Sequence, residues 1–181
     1  MTCDYPANDQ SMKYRIITAL GLAAVSSVVL TACPGTSSVP GTNLLDLINQ
    51  KRAAHSCNPV SGDDQLRAAA ERHAVDIREH PDHYGPPGTD PPLRDIHTGT
   101  DNSDGGARIA AAGYAPLIRW GEIIYWAGGP PGNTPQATID WWMHSDGHRE
   151  QIETCEYTHA GIGLLYPGGT KWIAVVNFAS H

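Results

Sequence analysis

The chain has 181 residues, which is enough for one domain with a sizeable hydrophobic core. Its formal net charge is −7, and its Lys and Arg residues form no basic cluster. Because proteins that bind phosphate backbones need clustered basic side chains, this charge pattern argues against a nucleic-acid partner.

The N-terminal segment is typical of an export signal. Lys13 and Arg15 precede an uncharged run over residues 16–30, which at about 15 residues is shorter than the roughly 20 of a membrane-spanning helix. The run ends in Leu-Thr-Ala-Cys at Cys33, which resembles the bacterial lipobox, whose cysteine becomes the lipidated first residue of the mature protein. Met12 fits the true start. The alternative is an ordinary signal peptide or an uncleaved anchor with a chance cysteine.

These features divide the chain into three parts. Residues 1–32 are predicted to be a lipoprotein-type signal peptide, and residues 33–41 a lipid-anchored cysteine with a flexible tether. Residues 42–181 are predicted to form the domain. We therefore expect an exported protein, bound by its lipid to the outer face of the cytoplasmic membrane in the cell envelope. An ordinary signal peptide would instead give a secreted protein.

The four cysteines predict one disulfide in the mature domain. Cys3 leaves with the signal peptide and Cys33 is used for lipidation, so Cys57 and Cys155 remain as a pair in an exported protein. A bridge between them would close a loop of about 100 residues. Two free thiols are the alternative.

The first half of the domain is predicted to be helical. One helix covers residues 43–54, with Asn49 and Arg52 one turn apart and expected to bond backbone or acidic groups. A second helix is capped by Asp63 or Asp64 and runs to about residue 79. His73 lies on the apolar face of this second helix and is predicted to be a core histidine.

A long loop and the strands follow. Residues 81–104 are rich in Pro, Gly, Asp and His without an apolar period, which predicts a loop, and residues 105–112 read as a short helix. Glu122 lies in the middle of an apolar stretch, and a Gly/Pro turn follows over residues 127–132. The end of the chain is predicted to be a hairpin of residues 160–166 and 171–178.

Between the turn and the hairpin lies the stretch with the densest set of chemically capable side chains. Residues 135–143 read as a helix with Trp141 toward a core, and Asp146-Gly147 is a turn signal that should end it. His148 would then lie just beyond the break, with its ring accessible. Helices around a few late strands predict an α+β layered domain.

The order and spacing of several short motifs resemble the CAP superfamily of cysteine-rich secretory proteins, antigen 5 and pathogenesis-related 1, in its short bacterial, secreted branch. The motifs are Leu-Ile-Asn-x-x-Arg at 47–52, His73-Ala74, His97-Thr98-Gly99, Arg108-Ile109, Gly113-Tyr114, Gly121-Glu122, Trp142-Met143-x-Ser145-x-Gly147-His148-Arg149 and Gly161-Ile162-Gly163. The resemblance implies a three-layer α-β-α sandwich with a central, mostly antiparallel sheet and a cleft.

Animal and plant members line this cleft with two His and two Glu, and several bind a divalent metal such as zinc through the His pair. The resemblance carries these roles to His97, Glu122 and His148. Ile123 replaces the Asn that usually follows the Glu. The second Glu has no counterpart, since its position falls at His144 or Ser145, as is common in the bacterial branch.

Two kinds of function are compatible with these residues. His97 and His148, with His144 as the obvious extra ligand, offer too few ligands for a tight zinc site, so weak zinc binding or a hydrogen-bonded polar cluster with Glu122 is expected. The first hypothesis is a binding module for an apolar ligand such as a lipid or sterol, or for an envelope or host protein. The second is a metal-dependent hydrolase of peptidase or esterase type that uses His97, Glu122 and His148, with Ser145 as a weak candidate nucleophile.

Overall fold

The computed structural model describes residues 40–86, 92–127, 134–165 and 172–181. The predicted signal peptide, Cys33 and most of the predicted Gly/Pro turn lie outside these ranges. In chain order the elements are α1 (Pro40–Ala54), β1 (Ser61–Gly62), α2 (Asp64–Glu79), α3 (Pro81–Tyr84), α4 (Gly105–Ala111), β2 (Arg119–Ala127), α5 (Pro135–Met143), α6 (Asp146–Glu153), β3 (His159–Leu165) and β4 (Trp172–Ser180).

The four described strands form one sheet in the order β1-β3-β4-β2. β3 pairs with β4 and β4 with β2 in antiparallel fashion, whereas the two-residue β1 runs parallel to β3. The predicted hairpin of the last two strands is therefore confirmed. β2, which carries Glu122, pairs within the described chain with β4 alone and forms one edge of the sheet.

Helices cover both faces of the sheet because the side chains of a strand alternate between faces. On one face, Ile123 and Tyr125 of β2 belong to a core with residues of α1, α5 and α6. On the other face, Ile124 packs with Ala70 and other residues of α2. This arrangement confirms the three-layer α-β-α sandwich with a mostly antiparallel sheet.

Glycines allow α2 to lie directly on β3. A Cβ atom added to Gly161 would lie 2.0 Å from the backbone nitrogen of Arg67, and one added to Gly163 would lie 2.5 Å from the backbone of Ala70. Both distances are far below any normal carbon contact. No larger residue fits at Gly161 unless the helix moves.

A disulfide and a buried arginine connect α1 to the end of α6. The predicted bridge Cys57–Cys155 is confirmed. Beside it, the fully buried guanidinium of Arg52 donates to the backbone carbonyls of Asn58, Ile152, Thr154 and Tyr157 at 2.8–3.1 Å. Burial lowers the pKa of Arg52. The prediction that Arg52 binds backbone groups is thus confirmed.

Four details differ from the sequence predictions. The first helix begins at Pro40, and the predicted loop over residues 81–104 contains the short helix α3. Trp141, predicted to face a core, is 49% exposed, and Trp142 is fully buried in its place. The Asp146-Gly147 pair does not end α5, because α5 ends at Met143 and these two residues form the first turn of α6.

Candidate functional site

Glu122 is the buried centre of the site. Its side chain is 1% exposed, and Arg108 of α4 donates to both carboxylate oxygens at 2.9 and 2.8 Å. Burial alone would raise the pKa of this carboxyl, but the hydrogen bond from His97 and the charge of Arg108 outweigh burial and lower it. Glu122 is therefore an anion at neutral pH.

A further residue completes the contacts of this carboxylate. With its amide oriented to satisfy both of its groups, Asn177 of β4 donates to the second oxygen of Glu122 at 3.0 Å and accepts from the backbone N–H of Ala70 at 3.1 Å. Glu122 thus accepts hydrogen bonds from Arg108 of α4 and from Asn177 of the sheet. Little of the carboxylate is left for a substrate.

His97 lies above the carboxylate on the loop that follows α3. Its Nδ1 is 3.0 Å from Glu122 Oε1, and its backbone carbonyl accepts from Arg108 at 3.1 Å. Because an ionised carboxylate can only accept, Nδ1 carries the proton of the neutral ring and Nε2 keeps its lone pair. The side chain is 44% exposed, so that lone pair is available to a ligand or a metal ion.

His148 comes from the opposite helical layer, as the third residue of α6. Its Nδ1 is 2.7 Å from Ser145 Oγ, and its ring centroid is 4.9 Å from that of Trp141. Burial lowers the pKa of His148, and a proton on His97 would lower it further. The two histidines come from different helical layers of the fold.

Ser145 and His144 differ in what they contact. Ser145 is the N-cap residue of α6, but its hydroxyl bonds His148 and no backbone N–H of the helix. Since a hydroxyl can donate or accept, it fits either tautomer of His148. His144 is exposed at the end of α5, with Nδ1 2.6 Å from the carbonyl of Asp140, and so binds its own helix.

The donor set favours weak metal binding at most. Within the described ranges, no group of three or more His, Cys, Asp or Glu side chains is arranged to hold a metal ion. His97 and His148 together offer two imidazoles, whereas zinc sites in proteins usually have three or four protein ligands. Glu122 orients His97 in the manner of a carboxylate that supports a metal-bound histidine.

Three residues of the site were given no role from the sequence. Arg108 was noted only as part of a motif, Asn177 not at all, and His73 as a core residue. The His73 ring is fully buried, and its Nε2 is 2.8 Å from the carbonyl of Ile96. The available signal was Arg108 itself, a lone charged residue in a short helix of Gly, Ala and Ile.

The fold and these side chains agree with a known family. The sequence profile of the Cysteine-rich secretory protein family (CAP) matches residues 45–178, so the chain belongs to that family. A curated relative, the uncharacterized protein YkwD of Bacillus subtilis, is 24% identical over 140 residues, which are 76% of this chain and 47% of the relative. The chain thus spans about half the length of that relative.

Solved structures show the same fold. An extracellular protein containing a SCP domain from Bacillus anthracis superposes with a TM-score of 0.60 at 20% identity, over 78% of this chain and 40% of that one. An outer surface protein of Borrelia burgdorferi gives a TM-score of 0.62 at 19% identity, over 77% of this chain and 91% of that one. At these identities the likeness concerns the fold.

Proposed function

We propose that this chain is a cell-surface binding module whose ligand lies in the cleft between His97 and His148. The ligand class is an apolar molecule such as a lipid or sterol, or a protein of the envelope or of a host. The observation that carries the proposal is that both carboxylate oxygens of Glu122 already accept hydrogen bonds from the protein. A carboxylate with donors from Arg108, His97 and Asn177 is a structural anion and a poor general base.

The surroundings of the histidines also support binding. The indole of Trp141 is half exposed and packs against both His148 and Tyr125, so its position is fixed before any ligand arrives. A rigid, exposed aromatic side chain contributes contact area at a low entropic cost. Exposed tryptophans of this kind are typical of recognition surfaces.

Export and lipid anchoring through Cys33 belong to the same proposal. Two solved relatives are named as an extracellular protein and an outer surface protein, which supports a location outside the cytoplasm. The Cys57–Cys155 bridge fits an oxidising compartment. None of the helices in the described ranges is long and apolar enough to cross a membrane.

A metal-dependent hydrolase remains the second proposal, because one feature favours it. His97 has the carboxylate-oriented geometry that metal-bound histidines adopt. His148 would be the second ligand, and the metal would supply an activated water. Glu122 would orient His97, and Ser145 would orient His148.

A single comparison separates the two proposals. The protein and its His148→Ala variant are assayed for turnover of a panel of peptides and esters, with and without a chelator. In parallel, both are assayed for binding of sterols, fatty acids and peptides. Turnover that is lost on chelation and in His148→Ala would overturn the binding module and support the hydrolase. We expect ligand binding without turnover.

Calorimetric titration with zinc tests the same histidines directly. We expect weak binding at one site that is lost in both His97→Ala and His148→Ala. Affinity should fall as the pH drops through the imidazole range, because protonated rings cannot bind a metal. Affinity that is flat from pH 8 to 5, or retained in both variants, would show that the histidines bind no zinc.

A further inference from the structure

The strand that carries Glu122 is an edge of the sheet in the described ranges. β2 pairs with β4 on one side, and on its other side no strand of the described ranges lies beside it. His97 contacts Glu122 of this strand from the layer of α2 and α4. His148 of α6 packs on Trp141, which packs on Tyr125 of the same strand. The direction in which the β2 backbone groups point therefore determines which ligands can bind at this edge.

Two independent contacts show which backbone groups point outward. The carbonyl of Ala160 accepts from Asp63 N–H, so Ala160 faces β1 and the next residue, Gly161, faces β4. Gly161 is opposite Asn177 in β4, so the backbone N–H and C=O of Asn177 bond to β3. Asn177 is in turn opposite Glu122, and the backbone N–H and C=O of Glu122 therefore point away from β4.

The second contact gives the same result two residues later. The indole N–H of Trp142 donates to the carbonyl of Ile124 at 3.3 Å from outside the sheet. By the two-residue period of a strand, Trp120 and Glu122 share the outward orientation of Ile124. Trp142 covers the edge at Ile124.

The backbone of Glu122 keeps a small exposed surface. Glu122 as a whole residue is 8% exposed, although its side chain is only 1% exposed, so most of its exposed surface belongs to its backbone. Trp120 is 40% exposed. No backbone hydrogen bond from another loop or helix of the described ranges reaches either residue at this edge.

Two half-exposed tryptophans lie on the two faces of this edge. The Trp120 indole lies on Gly105 and Gly106 of α4, where an added Cβ would come within 2.6 Å of the ring. On the opposite face, Trp141 packs on Tyr125 and His148. An extended chain places alternate side chains on opposite faces, so a strand added here would meet Trp120 and His97 on one face and Trp141 and His148 on the other.

We propose that the β2 edge between His97 and His148 binds an extended polypeptide segment of a partner protein by strand addition. The outward N–H and C=O groups of Trp120 and Glu122 pair with the segment, and the two tryptophans contact its alternate side chains. A lipid chain on this edge would leave those backbone groups desolvated and unpaired, which is unfavourable. The inference rests on the proposed binding function and narrows its ligand to a polypeptide.

The first experiment measures the edge itself. Residue-resolved hydrogen exchange of the free protein should show rapid exchange of the Trp120 and Glu122 amides and slow exchange of the Gly121 and Ile123 amides, which point to β4. A displayed library of 12-residue peptides is then selected on the protein. We expect enriched peptides that slow the exchange of the Trp120 and Glu122 amides when bound.

Backbone methylation of an enriched peptide supplies the matched control. Strand addition uses every second N–H of the peptide, so one N-methyl group in the correct register should weaken binding about tenfold. The same group moved by one residue should change the affinity little. Equal effects at both positions would overturn strand addition even if the peptide binds.

Two variants test the protein side. Trp120→Val removes the indole and keeps the backbone N–H, whereas Trp120→Pro removes both. Proline is tolerated here because the backbone N–H of residue 120 points outward from an edge strand. We expect weaker binding in Trp120→Val and a further loss of about tenfold in Trp120→Pro, with thermal unfolding used to verify that both variants fold.

Several results would contradict the inference. If the protein forms a dimer at high concentration and the Glu122 amide exchanges slowly only in that dimer, the β2 edge binds a second copy of the chain and not a partner protein. A selection without peptides that protect these amides would overturn strand addition. If strand addition fails in this way, sterol or fatty-acid binding that is lost in Trp141→Ala would still support the proposed binding function. If no ligand of any kind binds, both the binding function and strand addition are refuted.

Discussion

At the scale of single residues, the pairing of Arg108 with Glu122 should dominate the stability of the site. Both side chains are almost fully buried, and Arg108 holds the carboxylate through two short hydrogen bonds. We expect Arg108→Met to lower the free energy of unfolding by about 3–5 kcal/mol, because it leaves a buried anion without its cation. Urea denaturation gives the measurement.

The double variant Arg108→Met/Glu122→Gln is the control for this prediction. Removal of the buried negative charge should restore part of the lost stability, so the two substitutions should not be additive. If the double variant loses the full sum of the single effects, the ion pair is not what Arg108 contributes.

His73 gives a second prediction at this scale, in the pH dependence of stability. Burial lowers the pKa of its ring in the folded protein. The unfolded chain therefore takes up a proton below about pH 6.5 that the folded protein excludes, and stability that is present above that pH is lost as the pH falls. The His73→Gln variant should lose less stability than the wild type between pH 8 and 5.

Nuclear magnetic resonance of the His73 ring tests the cause. Its Cε1 proton should keep the chemical shift of a neutral ring down to the onset of acid unfolding. A normal titration near pH 6.5 in the folded state would refute the role of burial.

At the scale of elements, the contact between α2 and β3 depends on a residue without a side chain. We expect Gly161→Ala to destabilise the protein by about 3 kcal/mol or more, because the added Cβ would overlap the backbone of Leu66 and Arg67 and force α2 off the sheet. Gly147→Ala in the first turn of α6 is the matched control. No atom lies within 4 Å of its added Cβ, so alanine should be neutral or stabilise by up to about 1 kcal/mol.

Thermal unfolding of both variants gives the comparison. Equal stability of Gly161→Ala and the wild type would mean that α2 and β3 can separate without cost. A large loss in Gly147→Ala would mean that the first turn of α6 is strained, which its contacts do not indicate.

Elements with a clear local signal could be predicted from the sequence. Asp63 caps α2 as expected, because an acidic residue before an apolar period is a local pattern, and its side chain accepts from Leu66 N–H. The end of α5 at Met143 matches the prediction, but the signal that was expected to end it was assigned to the wrong pair. Asp146 and Gly147 favour a turn in isolation, yet Asp146 also suits the first turn of a helix, and the chain uses it there.

Contacts between distant parts of the chain could not be predicted in this way. Trp141 and Trp142 are adjacent and chemically identical, so only the direction of α5 on the sheet decides that Trp142 is buried and Trp141 exposed. The contacts of Glu122 join residues on α4, β2, β4 and the loop after α3. Family resemblance identified His97, Glu122 and His148, whereas the contacts of Arg108 and Asn177 with Glu122 depend on the packing of α4 and on the register of β4 against β2.

At the scale of the whole molecule, the disulfide fixes the first and last thirds of the domain to each other. Cys57 and Cys155 are 98 residues apart in sequence. In the chain-entropy treatment, a loop of this size contributes up to about 4–5 kcal/mol. We therefore expect Cys57→Ala/Cys155→Ala to unfold at a markedly lower urea concentration, and reduction of the wild type to match it.

Arg52 makes this prediction specific. Three of its four hydrogen bonds reach Ile152, Thr154 and Tyr157 and hold the same two segments without the bridge, so the reduced protein should still fold. A fully unfolded double variant at neutral pH would show that the bridge is required for folding as well as for stability.

The attachment of the domain to the membrane is a prediction about the part of the chain before residue 40. If Cys33 is lipidated, Cys33→Ala should release the protein from the membrane fraction or leave an unprocessed precursor of higher mass. Cys3→Ala is the matched control, since Cys3 is predicted to be removed with the signal peptide and should not affect membrane association. Metabolic labelling with a fatty-acid analogue, followed by fractionation and mass measurement, distinguishes the outcomes. A Cys33→Ala protein with unchanged mass and membrane association would refute the anchor, and the β2 edge would then belong to a protein that is secreted or held at the surface by other means.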